Sequence, residues 1–156
     1  MIGINAENRL KVAESLNRIL ADEYLLYTQT RKAHWNVEGA DFYLKHKLFE
    51  DQYEIIDDII DEIAERIRSI GHYVPASLRE FLELTHLSEL NRKPNDSDGL
   101  IQSLLENHES IILKLREQIK PFAEQYHDLG SSDFITGVLE KHEKMAWMLR
   151  ASLSHK

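Results

Sequence analysis

The chain reads as an all-α protein, a bundle of four long helices with a short extra helix in its long middle connection. Three observations predict this. Glycine and proline are scarce, six and three in 156 residues, so few positions break a helix. Apolar residues recur every three or four positions in four separate stretches, the period of an amphipathic helix and not the alternation of a strand. A short, a long and another short connection join these stretches, which suits antiparallel neighbours with one crossover. The length suits one domain spanning 1–156, since domains usually hold about 100 to 200 residues.

The first helix is expected from about Asn5 to His34, on the stripe Ala13, Leu16, Leu20, Tyr24 and Tyr27. Asn36, Gly39 and Asp41 then bring turn chemistry. A second helix follows from about Asp41 to Ile70 on Phe42, Phe49, Tyr53, Ile56, Ile60, Ile63 and Ile67, with Gly71 as its stop and Pro75 against continuation. Ser77 to Leu84 reads as a short helix inside a connection that ends in the polar loop Asn91 to Gly99. Ser97 or Asp98 caps the third long helix, on Leu104, Leu105, Ile111, Ile112, Leu115 and Ile119. Pro121 interrupts it, but Phe122 and Tyr126 keep the period, so the helix is expected to kink rather than end. His127 to Ser132 turns the chain, and Ser131 or Ser132 caps the last helix, on Phe134, Val138, Met145, Leu149 and Leu153. This connectivity is that of a ferritin-like four-helix bundle.

Composition narrows the function. No cysteine is present, which removes disulfides, thiolate metal sites and cysteine nucleophiles and fits a reducing cytoplasm. No run of about 18 apolar residues offers a membrane span, and Glu7, Arg9, Lys11 and Glu14 interrupt any signal-peptide core. With 27 acidic against 19 basic residues the formal charge is −8, so cations are the favoured electrostatic partners and a nucleic-acid surface would have to be strongly local.

The metal-capable residues are His34 at the end of the first helix, with His46, Glu50, Asp61 and Glu65 on the second. Imidazole and carboxylate together suit Fe(II), Mn(II) or Zn(II). His46 and Glu50 are four residues apart, as are Asp61 and Glu65, so each pair projects from one helical face and could hold a cation. Such pairs also occur as plain solvated surface. On a wheel at about 100° per residue with His46 at zero, the apolar arc centres near roughly −60°, and Glu50, Asp61 and Glu65 fall at roughly +40°, +60° and +100°. The acids therefore flank the core stripe, where a neighbouring helix or subunit could cover them. His34 continues the buried side of its helix, where a hydrogen-bonded core histidine is the plain alternative. His46 and Asp61 lie roughly 22 Å apart along one rigid helix, far beyond the roughly 2 Å of a metal–ligand bond. If the two pairs share a metal, two antiparallel copies of the second helix must meet across a twofold axis, so that His34 and His46 of one chain face Asp61 and Glu65 of the next.

The run HWNVEGADFYLKHKLFEDQY, followed seven residues later by DEIAERI, resembles the signature of the Dps miniferritins in residue type and spacing. The match covers His34 through Ile67 without a gap, and LEKHEKMAWMLR in the last helix adds a weaker likeness. The resemblance implies a hollow dodecamer, a homo-oligomeric shell with an iron-oxidising centre of one or two irons at each twofold interface. It makes His34 and His46 ligands from one subunit and Asp61 and Glu65 ligands from its mate, with Glu50 as ligand or supporting acid. It places Trp35 beside the centre as an interceptor of escaping oxidising equivalents, against packing at a helix end. Asp128, Gly130 and Asp133 match the acidic turn that lines the threefold pores of such shells, where carboxylates concentrate Fe(II); capping of the last helix is the plain alternative.

By resemblance the chain is expected to be a cytoplasmic ferroxidase that oxidises Fe(II), preferentially with hydrogen peroxide, and stores Fe(III) mineral; Zn(II) could substitute at the site. A bacterioferritin-like di-iron bundle is a competing expectation, since Glu83 with His86 and Glu124 with His127 have Glu-x-x-His spacing and Glu14 and Glu23 could serve as further donors. Neither pair falls in mid-bundle. His72, His108, His142 and His155 have no evident partner set. DNA compaction, for which some Dps members are named, is disfavoured here by charge: the arm before the first helix lacks Lys and Arg, the SLSHK tail adds little, and phosphate neutralisation supplies most sequence-independent affinity.

Overall fold

A computed structural model describes residues 2–89 and 96–153. Four long helices and one short one follow in order: α1 (Ala6–Asn36), α2 (Phe42–Ser69), α3 (Leu78–Leu84), α4 (Ser97–Lys120) and α5 (Leu129–Ala151), with a π-helical turn at Pro121–Gln125 between the last two. Among the described residues there is no strand. α1 packs on α2 and α4 on α5, and α1 also meets α3 and α4. The short turn makes α1 and α2 antiparallel; the crossover through α3 returns the chain to begin α4 beside that same turn. There Ser97 Oγ donates to Asp41 at 2.9 Å.

The apolar stripes close one core. Leu16, Leu20, Phe49, Ile56, Ile63, Ile67, Ile111, Leu115, Phe122, Ile135 and Leu149 are at most 2% exposed. Burying a side chain of this size contributes about 1.5–3 kcal/mol. Ile59, Ile63 and Ile67 recur every fourth residue on α2 and are wholly buried, which leaves the acidic residues between them facing outward.

Helix starts depend on short polar side chains, and some differ from those expected. Asn5 accepts from Asn8 N–H at 2.8 Å and begins α1. Ser77 and Glu80 form a reciprocal capping box on α3. Asp96, not Ser97 or Asp98, caps α4, accepting from Gly99 N–H at 2.8 Å. Gly99 and its neighbours are therefore helical, and the remainder of the loop expected from Asn91 lies outside the described residues up to Asp96. Asp128, not Ser131 or Ser132, caps α5: an aspartate at the N-cap accepts the free N–H groups and adds favourable charge to the helix dipole. Ser131 Oγ donates to Asp128 at 2.6 Å, while Ser132 Oγ donates to Ile119 O at 2.8 Å.

Pro121 ends the regular turns of α4, and the chain stays helical through Pro121–Gln125. Proline cannot donate the N–H of an ordinary helical turn, and the chain responds with a wider one in which Tyr126 N–H bonds to Pro121 O at 2.9 Å. Such bulges are where long helices accommodate a proline or change direction. His127 then takes a left-handed φ of +56°, a conformation in which histidine is among the enriched residues, and α5 begins two residues later.

Candidate metal centre

His34 stands in the last turn of α1 and His46 at the start of α2, and the turn between them folds the two rings together. Gly39 carries a φ of +121° in that turn, which residues with a Cβ rarely adopt. His34 Nδ1–H donates to the carbonyl of His46 at 2.8 Å, and His46 Nδ1–H donates to the carbonyl of His34 at 2.7 Å. The rings stack at 3.7 Å between centroids and 18° between planes. Because a carbonyl only accepts, both Nδ1 atoms carry hydrogen. In the neutral tautomer each Nε2 then keeps its lone pair, the form in which imidazole binds a metal. Tyr53 meets His34 edge-on at 5.2 Å and Phe42 lies 5.0 Å from His46, so aromatic side chains hold both rings in place.

Glu50 lies one turn beyond His46 and pairs with Lys47. The Lys47 hydrogen bond holds its carboxyl below the usual carboxylate range, with the nearby charge of Lys47, His34 and His46 acting in the same direction. Asp61 and Glu65 are exposed near the other end of α2 and make no hydrogen bond or ion pair within the described residues. Among those residues no three His, Asp or Glu side chains converge in a way that could hold a metal ion. The single chain thus joins His34, His46 and Glu50 into one neighbourhood and leaves Asp61 and Glu65 apart from it, as rigid-helix distance requires. Trp35 is 63% exposed beside His34, so it is not packed against the helix end; Arg31 lies 5.2 Å from its ring.

At the start of α5 Asp128 takes the capping role that was the plain alternative: it is 1% exposed and accepts from Arg66 at 3.0 Å and from Ser131 N–H at 2.9 Å. Arg66 also reaches Ser131 Oγ at 2.9 Å. Gly130 makes room for it, since a Cβ there would lie 2.9 Å from the guanidinium. Asp133 is exposed.

One correction concerns the core. His108 and His142, expected to lack partners, are wholly buried together with Glu23. His142 Nε2–H donates to Glu23 at 2.6 Å, and the Nδ1 atoms of His142 and His108 share a hydrogen bond of 2.9 Å. Burial, with the neighbouring His142 adding to it, pushes His108 well below the usual imidazole value, so it stays neutral. One Glu23 oxygen and His108 Nε2 have no partner. The signal was present: Glu23 continues the spacing of Leu16 and Leu20 on α1, an acid on a core stripe. The Glu-x-x-His spacings do not enter this cluster. His86 is instead held by Asp22 at 2.7 Å and Ser110 at 2.7 Å, which pins the crossover to α1 and α4, while Glu83, Glu124 and His127 are exposed.

Known proteins resemble this one over nearly its whole length. The ferritin-like domain family matches residues 13–155. An uncharacterized low temperature-induced protein of Nostoc sp. is 41% identical over 150 residues, 96% of this chain and 84% of the relative. DNA protection during starvation protein 2 of Bacillus anthracis is 34% identical over 144 residues, 92% of this chain and 97% of that protein. The crystal structure of the Dps protein of Vibrio cholerae, described as a member of a broad superfamily of ferritin-like diiron-carboxylate proteins, has a TM-score of 0.90 at 29% identity, covering 97% of this chain and 94% of that one.

Proposed function

This chain belongs to the Dps miniferritins of the ferritin-like domain family, and from that membership we propose that it oxidises Fe(II) and stores the product as Fe(III) mineral inside a homo-oligomeric shell of twelve. The observation that carries the reading is the reciprocal lock of His34 and His46, whose Nε2 atoms are available, together with carboxylates Asp61 and Glu65, which lie farther along α2 and have no partner among the described residues. Two copies of α2 packed antiparallel across a twofold axis complete the set, and the isologous contact makes two sites per dimer. Glu50 acts at the edge of each site as ligand or support, and the turn that carries Asp128 and Asp133 forms the entry channel where subunits meet.

Iron is the substrate of this reaction. Neutral imidazoles retain Fe(II), and anionic Asp61 and Glu65 stabilise Fe(III) more than Fe(II), so the ligand set favours loss of the electron. Hydrogen peroxide is the oxidant in this reading: two Fe(II), one H₂O₂ and two H₂O give two FeO(OH) and four H⁺, and peroxide is consumed as iron is stored. Zn(II), which accepts the same ligands, would compete for the site. The absence of cysteine suits a cytoplasmic location, and no helix among the described residues is long and apolar enough to cross a membrane.

Comparing H₂O₂ with O₂ at fixed Fe(II) tests the oxidant: faster oxidation by peroxide is expected, and faster oxidation by O₂ contradicts it. A folded monomeric interface variant that oxidised Fe(II) at full speed would defeat the shared site. The name of the Bacillus anthracis relative favours DNA protection as a second reading, in which the shell binds DNA directly. At −8 per chain a twelve-subunit shell carries on the order of a hundred negative charges, and repulsion dominates at neutral pH. A low-salt gel shift with stoichiometric protein would overturn that judgement.

A further inference from the structure

Beside the histidine pair, aromatic rings form a connected series that leads away from it. Tyr53 of α2 meets His34 at 5.2 Å and Tyr27 of α1 at 6.1 Å, edge to face. Tyr27 lies 6.1 Å from Tyr24, which stacks on Phe81 of α3 at 4.6 Å. All three tyrosines are half-buried. Packing alone needs only their rings, and phenylalanine would fill nearly the same space; the hydroxyls are what a packing role leaves unexplained. Arg31 donates to the Tyr27 hydroxyl at 2.7 Å and lies over the rings of Tyr27 and Tyr53 at 5.5 and 4.7 Å.

We propose that Tyr53, Tyr27 and Tyr24 form a relay that draws one-electron oxidising equivalents from the histidine pair toward the α3 crossover. The proposal rests on the iron-oxidising reading above. When peroxide meets a single Fe(II), the one-electron reaction Fe(II) + H₂O₂ + H⁺ gives Fe(III), H₂O and a hydroxyl radical. That radical takes the phenolic hydrogen atom of Tyr53, yielding water and a tyrosyl radical. Tyr27 passes an electron to the Tyr53 radical and releases its phenolic proton to solvent, while Tyr53 regains a proton; Tyr24 then repeats the exchange with Tyr27. Each hop breaks one O–H bond and forms another, so one unpaired electron moves along α1 and none is created. Phe81 has no O–H bond to give, so the series ends at Tyr24. Arg31 disfavours a second positive charge on the rings beneath it, so each hop must shed its proton, and its donated hydrogen bond keeps the Tyr27 oxygen in place in both states.

Trp35, exposed and also beside Arg31, is the competing sink, and a spin-trap map separates the two. The native shell is loaded with Fe(II), treated with H₂O₂ in the presence of a nitrone trap, and digested for mass spectrometry while the iron oxidation rate is recorded. Adducts are expected at Tyr53, Tyr27 and Tyr24. In Tyr27→Phe the Tyr24 adduct is lost, those at Tyr53 and Trp35 increase, and iron oxidation keeps its rate; in Tyr24→Phe the series stops at Tyr27. A Tyr24 adduct that persists in Tyr27→Phe, or a wild-type map confined to Tyr53 and Trp35, overturns the relay alone. Wild-type protein that fails to oxidise Fe(II) overturns the iron reading and the relay with it.

Discussion

The chain holds two histidine pairs that share chemistry and differ in what surrounds them. His34 and His46 bond to each other's backbone carbonyls at the end of the α1–α2 hairpin, so their Nδ1 atoms are occupied and their Nε2 atoms are available. His108 and His142 bond to each other and, through His142, to Glu23 in the middle of the core. The first pair is anchored through its own polypeptide and keeps metal-binding capacity; the second uses that capacity inside the protein. A backbone carbonyl orients an imidazole without competing for its second nitrogen, whereas a side-chain relay engages both nitrogens of its central ring. Two histidines in contact therefore do not make a metal site unless something else holds them.

The largest effect should come from breaking the inner pair. His142→Ala leaves Glu23, which already has one unpartnered oxygen, without its imidazole in the core; loss of a buried partner of this kind costs about 3–5 kcal/mol. Urea unfolding at fixed protein concentration would read it. Replacing both Glu23 and His142 by leucine should recover most of that loss, because removing both polar partners is often neutral or stabilising. A double variant as unstable as the single one would show that the relay itself is needed for the fold.

Breaking the outer pair should do the reverse. His46→Ala is expected to lower Co(II) affinity by about 100-fold or more, beyond the 10- to 100-fold typical of losing a group that merely supports a ligand, with little change in unfolding midpoint. Calorimetric titration measures the first and urea the second.

Acid should separate the pairs next. His108 is held neutral in the fold, while an unfolded histidine titrates near 6.5, so below that pH only the unfolded chain gains the proton. Stability falls as pH drops below about 6.5, by at most about 1.4 kcal/mol per pH unit from this residue, until the depressed folded value is reached. His108→Gln should flatten that slope between pH 7 and pH 5.5, and an unchanged slope would assign the acid sensitivity elsewhere. The smallest effect concerns Lys47. Freed of its partner in Lys47→Ala, Glu50 should raise Co(II) affinity by about two- to fivefold, the range open to a surface ion pair, and the gain should shrink at high salt.

Much of this architecture was legible from residue order. The stripes on α1, α2, α4 and α5 depend on the 3.6-residue period, which needs no knowledge of neighbours. Pro121 was expected to interrupt the helix without ending it, and a π-helical turn at Pro121–Gln125 follows α4. The caps were less legible: an aspartate one to three residues upstream of a serine competes for the same N–H groups, and at both α4 and α5 the aspartate won. At the outer site spacing paired His46 with Glu50, while the lock between His34 and His46 needed the hairpin to close. The Glu23–His142–His108 cluster was hidden because its members lie on three helices, and 119 residues separate Glu23 from His142. The Arg66 partner of Asp128 was hidden for a related reason, since the two lie 62 residues apart.

Periodicity, turn chemistry and charge were enough to specify helices, their connectivity and a hairpin with two histidines, because each depends on groups close together along the chain. Which polar groups met in the core, and which acids stayed exposed, depended on how those helices rotated against one another. A helix buries whichever side chains its neighbours cover, and a carboxylate or imidazole becomes an internal partner or an available ligand according to that rotation alone.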